Sequence, residues 1–182
     1  MARTVYLRQE IPIPENVRIE IVNKKIKVSG PKGDIERDFS FAYNVLIKLE
    51  NGKVVLETFF ANRKQKAVFY AIASHIENMI IGVIKGWRYK LKIVSTHFPV
   101  TVKVSGNEVL IENFLGEKAP RRAKILEGVK VKVEGKDIIV EGIDIEKVAQ
   151  TAANIEKATR IRDKDRRVFV DGIYIYESGE AE

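Results

Sequence analysis

Val129-Lys-Val-Lys-Val133 alternates apolar and polar residues and a turn at Gly135 leads into Ile138-Ile-Val-Glu141, after which Asp144-Ile-Glu-Lys-Val-Ala-Gln-Thr-Ala-Ala-Asn-Ile155 switches to helical spacing. A change of period from two to 3.6 within one segment predicts a β-hairpin running into a helix that covers it. Asp144 is the natural N-cap, and Ile145, Val148, Ala149, Ala152 and Ile155 form the apolar stripe. The same succession stands earlier in the chain. Val45-Leu-Ile-Lys-Leu49, a turn at Asn51-Gly52 and Val54-Val-Leu-Glu57 precede a helix expected from near Asn62 to about Ile84, with Val68, Ile72, Ile76, Met79, Ile80 and Val83 on one face.

Upstream of each hairpin lies another. Val17-Arg-Ile-Glu-Ile21 and Ile26-Lys-Val-Ser29 correspond to Val100-Thr-Val-Lys-Val104 and Val109-Leu-Ile111. The helix centres Ala71-Ile-Ala-Ser-His-Ile76 and Thr151-Ala-Ala-Asn-Ile155 also align. A repeat of roughly 80 residues is too long for a solenoid unit and suits a small domain. The expected fold is therefore α+β: two tandem duplicated domains, 1–85 and 86–182, each a small, mostly antiparallel sheet covered by one long helix. The boundary falls at Lys85-Gly86-Trp87, where the first helix meets a glycine.

Composition narrows the function. The chain has 182 residues, 45% of them hydrophobic, enough for a real core, and no cysteine, which excludes disulfides, thiolate nucleophiles and cysteine-ligated zinc. No run of 18 apolar residues and no apolar N-terminal core of a signal peptide are present, so a soluble cytoplasmic protein without a membrane partner is expected. The net charge of +7 favours an acidic partner. A charged fraction of 31% is also typical of hot-adapted proteins, whose ion pairs gain value as temperature rises.

The charge is concentrated. Lys118 to Lys124 holds four cations and no acid, and Lys157 to Arg167 holds six cations and two acids. Both segments are expected in connections, the first because of Pro120, the second between the last helix and a terminal strand, Val168 to Tyr176. Arginine-rich loops can lay guanidinium groups on phosphate oxygens bidentately.

Other residues are read as structural. His75 and His97 have no partner at ligand or triad spacing, and Asp163, Lys164 and Asp165 serve the neighbouring arginines as ion-pair partners. Gly30-Pro31-Lys32-Gly33 lacks the spacing of a phosphate loop and reads as a turn presenting one lysine. No catalytic constellation, metal cluster or cofactor motif emerges, so no enzyme activity, cofactor or small-molecule substrate is expected. The acidic tail, Glu177 to Glu182, is expected to be disordered.

Three segments carry a family likeness: Ile111-Glu-Asn-Phe-Leu-Gly-Glu-Lys118, Val140-Glu-Gly-Ile-Asp-Ile-Glu146 and Asp163-Lys-Asp-Arg-Arg-Val-Phe-Val-Asp-Gly-Ile-Tyr174. With Ile11-Pro-Ile-Pro14 and the Val-Ser-Gly-Pro-Lys-Gly33 turn, they make the chain closely resemble the archaeal and eukaryotic branch of the large-subunit ribosomal protein six family. The resemblance implies a ribosomal protein that binds large-subunit ribosomal RNA, its second domain near the sarcin-ricin loop and beside neighbouring ribosomal proteins at the stalk base. By matching segment, it implies RNA contacts at Lys118, Arg121, Arg122, Lys124, Arg160, Arg162, Lys164, Arg166 and Arg167. With few aromatics among these cations, the RNA is expected to be structured duplex and junction. The rival reading is a two-domain protein-interaction adaptor outside the ribosome, whose basic loops would meet acidic protein surfaces.

Overall fold

The computed structural model describes residues 4–162, 164, 165 and 167–181. It divides into two compact units, Met1–Lys85 and Gly86–Glu182, each built of antiparallel strands and one helix.

In the first unit, strands β1 (Thr4–Pro12), β5 (Leu46–Glu50) and β6 (Lys53–Ala61) form a sheet of order β1-β6-β5. Strands β2 (Arg18–Val22), β3 (Lys25–Gly30) and β4 (Gly33–Asp38) form a second, of order β2-β3-β4. Helix α1 (Arg63–Ile84) begins at Asn62, whose side chain accepts from the Gln65 N–H while Gln65 returns a bond to the Asn62 N–H. This reciprocal cap satisfies backbone donors that the first turn would otherwise leave open. The helix buries Phe69, Ile72, Ala73, Ile76, Met79, Ile80 and Val83 against both sheets; Val68, expected in that stripe, is only half-buried, and Phe69 takes its place. By length and composition α1 could span a membrane, but its apolar face is the core of this unit.

The second unit repeats the plan. Strands β8 (Thr101–Ser105), β9 (Glu108–Glu112) and β10 (Arg121–Lys124) form a sheet of order β10-β9-β8, matching β4-β3-β2. Strands β7 (Trp87–Val94), β11 (Val129–Glu134), β12 (Asp137–Gly142) and β13 (Gly172–Glu180) form the other, of order β11-β12-β7-β13. Its first three members match β5-β6-β1, and β13 is an added edge. Helix α2 (Ile145–Ala158) is capped by Asp144, which accepts from the Glu146 N–H, and buries Val148, Thr151, Ala152 and Ile155.

The structure departs from the expectations in two further places. Each unit contains two sheets, not one, and β4 and β10, too charged to show apolar alternation, add a third strand to the upstream hairpins. The terminal strand begins at Gly172 instead of Val168 and runs through most of the acidic tail: after a bulge at Tyr176, Glu177 to Glu180 pair with Lys90 to Trp87, and Ala181 is buried and donates to the Gly86 carbonyl. Lys32 is exposed in the turn before β4, with its backbone N–H bonding the Val83 carbonyl and its ammonium the Lys85 carbonyl.

Candidate nucleic-acid interface

Arg121, Arg122, Ala123 and Lys124 are a strand, not a loop, because β10 pairs with β9 residue for residue, from Arg121 opposite Ile111 to Lys124 opposite Glu108. Side chains on a strand alternate between faces. Ala123 is buried and Arg121 faces the same way, while Arg122 and Lys124 face solvent.

Arg121 is consumed by the fold. Its Nε and Nη2 donate to the two Glu117 oxygens at 2.8 and 2.6 Å, and its Nη1 donates to the carbonyls of Ala158 at 2.9 Å and Arg160 at 3.3 Å. Its guanidinium also lies 4.4 Å from the centre of the Phe114 ring, in the short 3-10 turn Phe114–Gly116. The hydrogen bond from Arg121 is the main cause that holds the Glu117 carboxyl below its ordinary range. A cation at the last carbonyls of α2 suits both their unmet hydrogen-bonding and the helix dipole.

This clamp sets the stretch after α2 against β10. Thr159 accepts from the Ile173 N–H and Ile161 is buried, so Arg160 and Arg162, on either side of Ile161, stand out into solvent. Asn154 of α2 donates to the Lys124 carbonyl at 3.1 Å, tying the helix to the other end of β10. Between helix and strand lies a concavity to which Arg122, Lys124, Lys157, Arg160 and Arg162 contribute cations, and among the described residues no carboxylate lines it. Among the described residues Arg122 has one acidic neighbour, Glu108, at 3.7 Å and well exposed, a pair that contributes little in water.

Of the nine expected contact residues, the fold thus gathers Arg122, Lys124, Arg160 and Arg162 on one surface, with Arg121 beneath it. Lys157, at the end of α2, joins them and was not among the nine. Lys118 is exposed in the bend before β10, outside this concavity. Lys164 and Arg167 belong to a separate segment. The Lys164 ammonium sits 4.4 Å from the Phe169 ring centre, and the exposed Arg167 meets Asp165 at 3.4 Å. Arg166 and Asp163 lie outside the described residues.

That segment is pinned by a residue pair the sequence concealed. Phe169 stacks on His97 with ring centres 4.6 Å apart, and His97 Nδ1 lies 2.6 Å from the buried Asp171 carboxylate. Asp171 also accepts from the backbone N–H groups of Thr96 and His97 and from the Thr96 hydroxyl. Burial raises its pKa, but these hydrogen bonds, the one from His97 first, outweigh burial and hold it well below the usual carboxylate range. His97, expected to be a plain packing or surface residue, therefore has a specific partner. Among the described residues, no group of three or more His, Asp or Glu side chains could hold a metal ion.

The first unit offers a contrast. Strand β4 occupies the place of β10, and its exposed positions are Asp34, Glu36 and Asp38. The same strand is acidic in one copy and basic in the other.

The sequence profile of the ribosomal protein L6 family matches this chain twice, over residues 13–86 and 98–172. The large ribosomal subunit protein uL6 of Staphylothermus marinus is 62% identical to it, with 100% of both chains covered. The proteins of the same name from Ignicoccus hospitalis and Aeropyrum pernix are 61% and 60% identical, each over 97% of both chains.

Proposed function

The chain belongs to the ribosomal protein L6 family and is a constituent of the large ribosomal subunit of the cytoplasmic ribosome; from that premise we propose that it binds rRNA through the cationic concavity of its second unit. The observation that carries this reading is the convergence of Arg122, Lys124, Lys157, Arg160 and Arg162 on one surface that, among the described residues, is lined by no carboxylate. Cations so placed neutralise successive phosphates, and each phosphate neutralised releases counterions. Sheet and helix fix the spacing of the cations before RNA arrives, which favours recognition of a folded backbone by shape over recognition of bases.

Lys118, Lys164, Arg166 and Arg167 extend the contact along the two flanking segments, Arg166 by family resemblance alone. Arg121 serves the contact indirectly, by holding Arg160 and β10 together. The role is structural and not catalytic. By the same resemblance, the second unit sits near the sarcin-ricin loop, with neighbouring ribosomal proteins of the stalk base as further partners. An adaptor role outside the ribosome is not favoured, since the full-length relatives named above are large-subunit proteins.

Sucrose-gradient sedimentation tests the proposal. Wild-type protein is expected to travel with the large subunit through moderate salt, and a variant with Arg122, Lys124, Arg160 and Arg162 changed to alanine is expected to come off at lower salt. Co-sedimentation of the variant at every salt concentration that retains the wild type would remove the concavity from the contact.

A further inference from the structure

The two units repeat one topology with the charge exchanged between its ends. In the second unit the cations gather at β10 and the end of α2, while the start of α2 is acidic, with Asp144 as cap and Glu146 in the first turn. In the first unit β4 is acidic and the start of α1 is basic: Arg63, Lys64 and Lys66 follow the cap, and the first turn has no acid. Cations at a helix start oppose its dipole, so helix stability does not account for them.

Nor do they serve ion pairs. Among the described residues none of the three has a carboxylate partner, whereas on the adjoining β1-β6-β5 face Arg8, Lys48 and Lys53 are all bound to Glu10, Glu50 or Glu57. The uncompensated charge of this face thus sits at one corner, where β6 turns into α1.

The same corner exposes aromatic rings. Tyr6 and Phe59 face each other across β1 and β6 with ring centres 5.1 Å apart, and are 43% and 51% exposed. The next residue, Phe60, is 62% exposed and has a left-handed backbone, φ 50°, uncommon for a bulky side chain. Alternation along β6 would have sent one of these two rings inward; the break in the strand leaves both in solvent. An apolar protein partner would need the rings and not the cations, and an acidic one the cations and not the rings. Both together, within a few residues, match a nucleotide out of its helix, with a base to stack and phosphates on either side.

We infer that the β6–α1 corner of the first unit is a second RNA contact, in which an unpaired nucleotide stacks on Phe60 and its flanking phosphates meet Arg63 and Lys64. The inference rests on the rRNA-binding reading above but concerns a different unit and a different recognition chemistry. The capping pair Asn62 and Gln65 already engages backbone donors of the helix start, so side chains supply the contact.

The test is photo-cross-linking and titration of the full-length protein with a large-subunit rRNA transcript, beside the variants Phe60→Ser and Arg63→Ala/Lys64→Ala. All three positions are exposed, and thermal melting of each variant verifies its fold. A nucleotide cross-linked to Phe60, an affinity about fivefold or more lower for Phe60→Ser, and a log–log salt slope shallower by about 1.4 to 1.8 for the double variant are expected. Wild-type affinity and slope in both variants, with binding still lost on neutralising the second-unit concavity, would overturn this inference alone. Absence of rRNA binding by the wild type would overturn both readings. A cross-link from this corner to protein and not RNA in native subunits would also overturn it.

Discussion

Arg121 grips Glu117 with two hydrogen bonds, 2.8 and 2.6 Å, while its third nitrogen reaches the carbonyls of Ala158, the last residue of α2, and of Arg160 just beyond it. One side chain therefore joins the turn before β10, the strand itself and the stretch that carries Arg160 and Arg162. Among the described residues the neighbouring Arg122 makes no such bonds, and it points to solvent. The two arginines should fail differently. Arg121→Ala is expected to destabilise the second unit by about 2 to 3 kcal/mol, the scale of charge-assisted hydrogen bonds removed with their partners left behind. Arg122→Ala is expected to leave stability within about 0.5 kcal/mol and to flatten the salt dependence of RNA binding by about 0.7 to 0.9. Urea denaturation and RNA titration of the two variants, side by side, check the distinction.

Asp171 ties stability to pH. Its folded pKa lies below the unfolded value, so the native state binds fewer protons than the unfolded chain as acid is added. The stabilisation is complete above the ordinary aspartate range and is lost as pH falls through that range and on toward the depressed value. Asp171→Asn is expected to cost about 2 kcal/mol at neutral pH and progressively less in acid. Denaturant midpoints measured from neutral pH down into the acid limb check it; a constant difference between the two proteins would rule out the charged carboxylate as the cause.

The tail is part of the fold. Glu177, Ser178, Gly179 and Glu180 pair with β7, Lys90 meets Glu177 at 2.9 Å, and Ala181 is only 6% exposed. Deleting residues 177–182 is expected to lower stability by roughly 3 kcal/mol, a few net hydrogen bonds together with one buried methyl. Thermal melting of the truncated protein measures it, and an unchanged midpoint would show the pairing to be incidental.

Gly30 sets how closely β3 approaches α1. A Cβ there would stand 2.7 Å from Val83 Cγ2. Gly30→Ala is expected to destabilise the first unit by about 1 to 3 kcal/mol through overpacking. The Val83 Cβ at 2.8 Å and the Val83 carbonyl oxygen at 3.0 Å stand in the way as well, so adding Val83→Ala relieves only part of the overlap and the double variant is expected to lose close to the two single losses together. A double-variant cycle in urea gives the coupling directly.

The repeat, the helices and the Asp144 cap were legible because each depends on residues close in sequence and on the switch from alternation to helical spacing; the Asn62 start of α1 was legible only as a position, and its reciprocal cap with Gln65 came from the structure. What was not legible depends on pairing at a distance. Arg121 to Lys124 contains no β-branched residue and reads as a solvated loop; β9 makes it a strand, and that pairing decides that Arg121 turns inward and Arg122 outward. Glu177 to Glu180 has the composition of a frayed end, and β7 orders it. His97 and Asp171 stand 74 positions apart, so no local spacing could reveal their contact. Lys157 carried a signal, since it opened the second basic segment, but only the place of β10 beside the end of α2 shows which cations of that segment share a surface.

The most direct measurement is the salt dependence of affinity for a large-subunit rRNA transcript, wild type against the variant with Arg122, Lys124, Arg160 and Arg162 all changed to alanine. Removing four phosphate-neutralising cations together predicts a log–log slope shallower by roughly 3, with the loss of affinity greatest at low salt. Parallel lines for the two proteins would contradict the assignment of the second-unit concavity as the RNA contact.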